Sequence, residues 1–102
     1  MITGKTSSGF EYAVQSGVAY DAKFVRAAVK MKKATGDPLE TAEAAYELID
    51  AVFVNDDEQI EGLMRHLASK NETGRTDIRE LVRETNEILK AIQEADESVK
   101  KQ

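Results

Sequence analysis

From Ile78 to Ile92 one face of the chain repeats with little interruption: Ile78, Leu81, Val82, Thr85, Ile88, Leu89 and Ile92 stand at intervals of 3, 1, 3, 3, 1 and 3. Only a helix turning every 3.6 residues collects such positions on one side, so about four turns of helix must lay this face against something apolar. With 102 residues the chain has room for one core. The other segments must therefore cover that stripe.

Three further helices are marked by their start signals. Asp21 can cap a helix over 21–34, with Phe24, Ala27, Ala28 and Met31 on one face and Thr35-Gly36 as its end. Asp37-Pro38-Leu39-Glu40 is the strongest start. Asp37 caps, Pro38 takes the first helical position where its missing N–H costs nothing, and Glu40 can reach back to the Asp37 amide. This helix is predicted to run to Val54 and to bury Leu39, Ala42, Ala45 or Tyr46, Ile49 and Phe53, with Leu48 and Val52 widening the face. After the Asn55-Asp56-Asp57 break, Asp56 and Gln59 frame a short helix with Ile60, Leu63, Met64 and Leu67 as its stripe. Asp77 and Glu80 repeat the signal before the Ile78–Ile92 helix.

The N-terminal 20 residues are different. Residues 1–9 are small and polar and read as a flexible segment. Phe10, Tyr12 and Val14 alternate with Glu11 and Ala13, a short strand pattern; Ser16-Gly17 is a turn, and 18–20 are expected to pair back as a second strand. A lone hairpin is marginal in water, so it must lean on the helices or on another chain. The expected fold is all-α, a compact bundle of four main helices with a short N-terminal β-strand or hairpin. The boundaries are a flexible 1–9, a single helical domain 10–93, and a polar tail or fraying helix end 94–102.

Composition narrows the chemistry. There is no cysteine and one histidine, His66, which leaves no thiolate nucleophile and no disulfide, and too few ligands for a His-based metal site. Lys and Arg total 14 against 19 Asp and Glu, a net charge of −5 that disfavours a nucleic-acid backbone. No stretch approaches the roughly 20 apolar residues of a membrane span, nor is there a basic-then-apolar secretory leader. No catalytic residue, cofactor or metal is expected. Gly4-Lys5-Thr6 looks like the end of a phosphate-binding loop, but that loop needs a glycine five residues earlier and a helix behind it. Glu43, Glu47 and Asp50 form a carboxylate row that reads as a solvated helix face.

The charge pattern says more. The first helix is basic, with Lys23, Arg26, Lys30, Lys32 and Lys33, and the second is acidic, with Asp37, Glu40, Glu43, Glu47 and Asp50. Either the two match within one chain, or one copy's basic face meets another's acidic face in a ring or spiral. Val25, Val29, Leu48 and Val52 widen the apolar faces of these helices, surface that a partner's helix can use. Phe24, Val25, Leu48, Val52 and Phe53 are the candidate protein-binding residues.

The order of parts resembles a phage family. Gly9-Phe10 opens it, followed by Tyr20-Asp21, the run Lys32-Lys33-Ala34-Thr35-Gly36-Asp37-Pro38-Leu39, the helix end Val52-Phe53-Val54, an acidic break and Ile60–Leu67. Then come Gly74-Arg75-Thr76-Asp77-Ile78, Glu87-Ile88-Leu89 and a lysine-bearing end, so residues 9–101 are spanned. This looks like the small tail assembly chaperones of long-tailed phages and prophages of Gram-positive hosts. It departs from their pattern at Asn55, where glycine is expected, and at Asp21-Ala22, where an acidic pair is expected. The resemblance implies a non-enzymatic protein of the host cytoplasm that keeps the long helical tape measure protein soluble. It also implies self-association, and a longer frameshifted form that recruits tail tube protein. The alternatives are a phage head–tail connector or adaptor, and a small helical DNA-binding regulator using the basic first helix.

Overall fold

A computed structural model of the chain describes residues 1–34, 36–54 and 56–101, with side chains as far as Asp96. Thr35 and Asn55, both placed in breaks by the sequence pattern, and the lysine side chains near the C-terminus lie outside the described residues.

Four helices carry the fold: α1 (Ala22–Lys33), α2 (Pro38–Val52), α3 (Asp57–Ser69) and α4 (Ile78–Lys101). Their starts follow the capping signals, with variations. The Asp21 side chain accepts from the Phe24 amide. Asp37 accepts from Leu39, and it is Thr41, not Glu40, that returns a bond to Asp37, through its hydroxyl. Asp56 accepts from the Gln59 amide while the Gln59 side chain donates back to the Asp56 carboxylate at 2.6 Å. Asp77 is clamped by Arg79, whose backbone and guanidinium both donate to it. That clamp holds the Asp77 carboxyl down to about 2.

The core is formed by the expected α1 face (Phe24, Ala27, Ala28, Met31) and by Leu63 and Leu67 of α3. From α4 come Leu81, Thr85, Ile88, Leu89 and Ile92. On α2 the expected Ala45, Leu48, Ile49, Val52 and Phe53 are buried, but the face is wider toward Ala44 and Ala51 and does not include Leu39. Leu39, expected inside, is 81% exposed; of the alternatives Ala45 and Tyr46 it is Ala45 that is buried, with Tyr46 48% exposed, and the buried arc is Ala44, Ala45, Leu48, Ile49, Ala51 and Val52. The cause is that α2 packs against both α1 and α4. A helix flanked on two sides buries a wide arc centred between its neighbours, and three alanines let them approach.

The N-terminal segment departs most from expectation. The strand β2 (Glu11–Val14) is where alternation places it, but its partner is β1 (Ile2–Lys5), inside the stretch read as flexible. The hairpin registers Ile2 with Val14 and Gly4 with Tyr12. Its three-residue loop, Ser7-Ser8-Gly9, closes with Gly9 at φ 99°, a left-handed position that favours glycine. Gly4 is needed for a different reason: the Tyr12 ring lies over it, and a β-carbon there would collide with the phenol. Val18–Tyr20, expected as a strand, is a single 3₁₀ turn. Its cause lies 77 residues away. The Asp96 carboxylate, 4% exposed, accepts from the amides of Gly17 and Ala19 at 2.9 Å each, and only a tight turn points two such amides at one carboxylate. Helix α4 therefore continues past residue 93 and carries a core contact within the expected tail.

Asp96→Ala is expected to cost about 1–3 kcal/mol by leaving the two turn amides without their acceptor. Asp50→Ala, on an exposed face, should stay within about 0.5 kcal/mol. Urea unfolding of both variants measures the contrast.

Candidate functional site

Of the five residues proposed from sequence as protein-binding, four are core. Phe24, Leu48, Val52 and Phe53 are between 0% and 6% exposed, packed beneath the hairpin and between the helices. Only Val25 lies on the surface, at 46%, with Val29 one turn on at 45%. The apolar faces of α1 and α2 are wide for different reasons. Helix α2 packs on both α1 and α4, whereas α1 packs mainly on α2 and the 3₁₀ turn and leaves Val25 and Val29 nearly half exposed. Leu39, placed in the core by sequence, and Tyr46, the alternative there to Ala45, form the exposed apolar surface on α2, one on either side of the half-buried Ala42. The only sequence signal for this was their flanking by Glu40, Glu43, Glu47 and Asp50, which puts them on the charged side of the helix.

The opposed charges of α1 and α2 meet within the chain. Lys30 reaches Glu43 and Glu47 at 3.0 Å each. Hydrogen bonds to Glu47 and then Glu43 raise the Lys30 ammonium above its ordinary value. The spacing shows why this pair sits at the middle. The cations Lys23, Arg26, Lys30 and Lys33 stand at intervals of 3, 4 and 3, and so do the anions Glu40, Glu43, Glu47 and Asp50. Each set is one helical stripe, and the two mirror each other about the turn at Gly36. An antiparallel pair of helices brings such stripes into register. This favours the intramolecular match over a charge-driven ring, although the flanking cations of α1 remain exposed.

The densest polar cluster joins the hairpin loop to α4 and was not apparent from sequence. Glu84 is fully buried. Its carboxylate accepts from the hydroxyls of Ser8 and Ser7, and Glu87 accepts from the Ser7 amide (2.8 Å) and hydroxyl (2.7 Å). Burial pushes the Glu84 carboxyl up, but hydrogen bonds from Ser8, Thr6 and Ser7, and one shared with Glu87, outweigh it and hold it below its ordinary value. Burial, reinforced by the charge of Glu87, raises the Tyr12 phenol. His66 is half-exposed, as expected of it. Its Nε2 lies 3.0 Å from the Ser8 carbonyl and its ring packs at a tilt on Phe10. The histidine thus meets the main chain while the serine hydroxyl meets a carboxylate, so the three do not line up as a proton relay.

Gly4-Lys5-Thr6 lies in and just after β1, with Thr6 buried and bonded to Phe10. No helix begins there, so the backbone amides do not converge as a phosphate cradle requires. Among the described residues no cluster of three or more His, Cys, Asp or Glu is placed to hold a metal ion, and no helix is long and apolar enough to cross a membrane. A cleft of about 610 Å³ opens between the end of β2, the 3₁₀ turn and the end of α2, with Val14, Val18, Val52 and Phe53 along it and Asp21 and Asp56 at its rim. No family model, curated protein or solved structure matches the chain.

Because the folded Glu84 carboxyl titrates below its unfolded value of about 4.3, its contribution is complete above that pH and is lost as pH falls through the folded value. Stability is therefore expected to drop on acidification below about pH 4, with Asp77 adding to the same limb. Glu84→Gln should be less stable at pH 7 and show a flatter acid limb; thermal melts from pH 7 to 2.5 check both.

Proposed function

We propose that this chain is a non-enzymatic interaction protein, a phage tail assembly chaperone of the host cytoplasm. It binds the long helical tape measure protein and keeps it from aggregating until tail tube subunits replace it. The observation that carries this reading is the apolar surface on α1: Val25 and Val29 stand one turn apart, nearly half exposed, with cations on either side. A pair at i and i+4 is the smallest unit that fits one face of a partner helix. Leu39 and Tyr46 on α2, two turns apart at i and i+7, offer a second exposed apolar pair. The order of motifs across residues 9–101 supplies the family.

A holding protein has to cover apolar helix surface and then release it. Small contacts of modest affinity, multiplied over many copies along a long chain, do both. In this reading copies associate along the bound partner in a ring or spiral, a longer frameshifted form brings in tube protein, and the net negative charge keeps the loaded complex dispersed.

Co-expression with the long helical protein encoded beside it, followed by affinity purification and light scattering, tests the proposal. Several copies should co-purify with a dispersed partner. Val25→Glu with Val29→Glu should reduce the bound amount about tenfold or more, as expected when an interface loses its apolar anchors, while the circular dichroism of the free protein stays unchanged. An insoluble partner and a chain that elutes alone would remove the support. A free-standing ring of fixed copy number would point to a connector instead, and salt-sensitive retardation of duplex DNA to a regulator.

A further inference from the structure

We propose that the open edge of β1 pairs antiparallel with β1 of a second copy of this chain, about a two-fold axis passing through Thr3. This pairing does not depend on the tail-protein reading.

The direction of the backbone groups follows from two sets of bonds. The loop closes with the Thr6 amide donating to the Phe10 carbonyl at 2.9 Å, which makes 6 and 10 an inward-facing pair. Alternation then turns the N–H and C=O of Lys5 and Thr3 away from β2, and those of Glu11 and Ala13 away from β1. The structure bears this out at Ala13. Its amide donates to the Gln59 side-chain oxygen and its carbonyl accepts from the Gln59 side-chain nitrogen, 2.9 Å each. One amide side chain thus plays the part of a neighbouring strand and covers the β2 edge at Ala13. Helix α4 packs on β1, but among the described residues no side chain bonds its outward edge in this way. Thr3 and Lys5 are exposed, and among the described residues no group bonds to their outward N–H and C=O.

The sequence of β1 fits its own copy in one register. With Thr3 on the axis, Thr3 faces Thr3, a favoured cross-strand pair, and Ile2 faces Gly4. Lys5 faces Met1, which is 81% exposed, so the lysines lie at opposite ends of the paired strands. A register centred on Lys5 would oppose two like charges. On the inner face the Thr3-centred register continues the row Val14, Ile2 into Gly4 and Tyr12 of the copy, so that Ile2 meets the Tyr12 ring that lies over Gly4. The result is a four-stranded sheet whose outer edges are each covered at Ala13 by Gln59, so that growth beyond the pair is disfavoured. The edge is short and carries a lysine, so the association is weak, in the range of about 0.1–1 mM.

Amide hydrogen exchange on the intact protein, followed by NMR across this concentration range, reads the pairing directly. Thr3 and Lys5 should gain about tenfold protection as concentration rises, while Ala13 stays protected throughout. Thr3→Pro removes one outward N–H and no bond of the hairpin itself, so it should leave the fold intact and the chain monomeric. The protein has no cysteine, so single substitutions report proximity cleanly: Thr3→Cys should oxidise to a covalent dimer faster than Lys5→Cys. Concentration-independent exchange at Thr3 and Lys5 would overturn the proposal, as would a Thr3→Pro protein that associates as well as the parent. Protection that appears only on adding another protein would assign the edge to that partner and equally overturn self-pairing.

Discussion

Two carboxylates on one helix organise the N-terminal fifth of this protein. Glu84 and Asp96 lie on α4, three turns apart, and both are buried. A carboxylate taken out of water costs several kcal/mol unless hydrogen-bond donors replace the lost solvent. Here the donors come from a segment nearly 80 residues away. The hydroxyls of Ser7 and Ser8 satisfy Glu84, and the amides of Gly17 and Ala19 satisfy Asp96. These two points pin the hairpin lengthwise along α4. With Gln59 on Ala13 and His66 at Ser8, α3 holds the other side. A two-stranded sheet that would be marginal alone becomes part of the core through these clamps.

The other half of the molecule follows simpler rules. Helices α1 and α2 are joined by a short turn, carry mirrored charge stripes and share the fold's largest helix–helix contact. Their match is electrostatic at the rim and steric at the centre, where Ala27, Ala28, Ala44 and Ala45 are buried. The rim pairs are exposed, and exposed pairs contribute little to stability, so their effect is on register and partner choice. Both helices keep apolar surface outside these contacts, at Val25 and Val29 on α1 and at Leu39 and Tyr46 on α2.

The candidate binding surface was only partly legible in the sequence. Hydrophobic spacing identifies a face, but not how many neighbours it will meet. Val25 and Leu48 look alike in sequence, each an apolar residue widening an amphipathic helix, yet one is 46% exposed and the other 0%. Leu39 fails in the opposite sense. It continues the predicted stripe, but the first turn of α2 is left outside the packed arc. The buried Glu84 had no local signal at all, since a glutamate among Arg83, Asn86 and Glu87 reads as solvated.

What the sequence determined by itself is local: four helices, their N-caps at Asp21, Asp37 and Asp56, the β2 strand, and the apolar stripe of α4. Each depends on residues within one or two turns of each other, where capping geometry and periodicity act directly. Tertiary structure alone decided the partner of β2, the 3₁₀ turn at Val18–Tyr20, the burial of Glu84 and Asp96, and which valines stay open. The β1–β2 pairing is local but β1 carries only one apolar residue, Ile2, to mark it, and the rest depend on groups tens of residues apart. Such a bond forms only after the chain has brought both ends together, and no spacing within either segment records it.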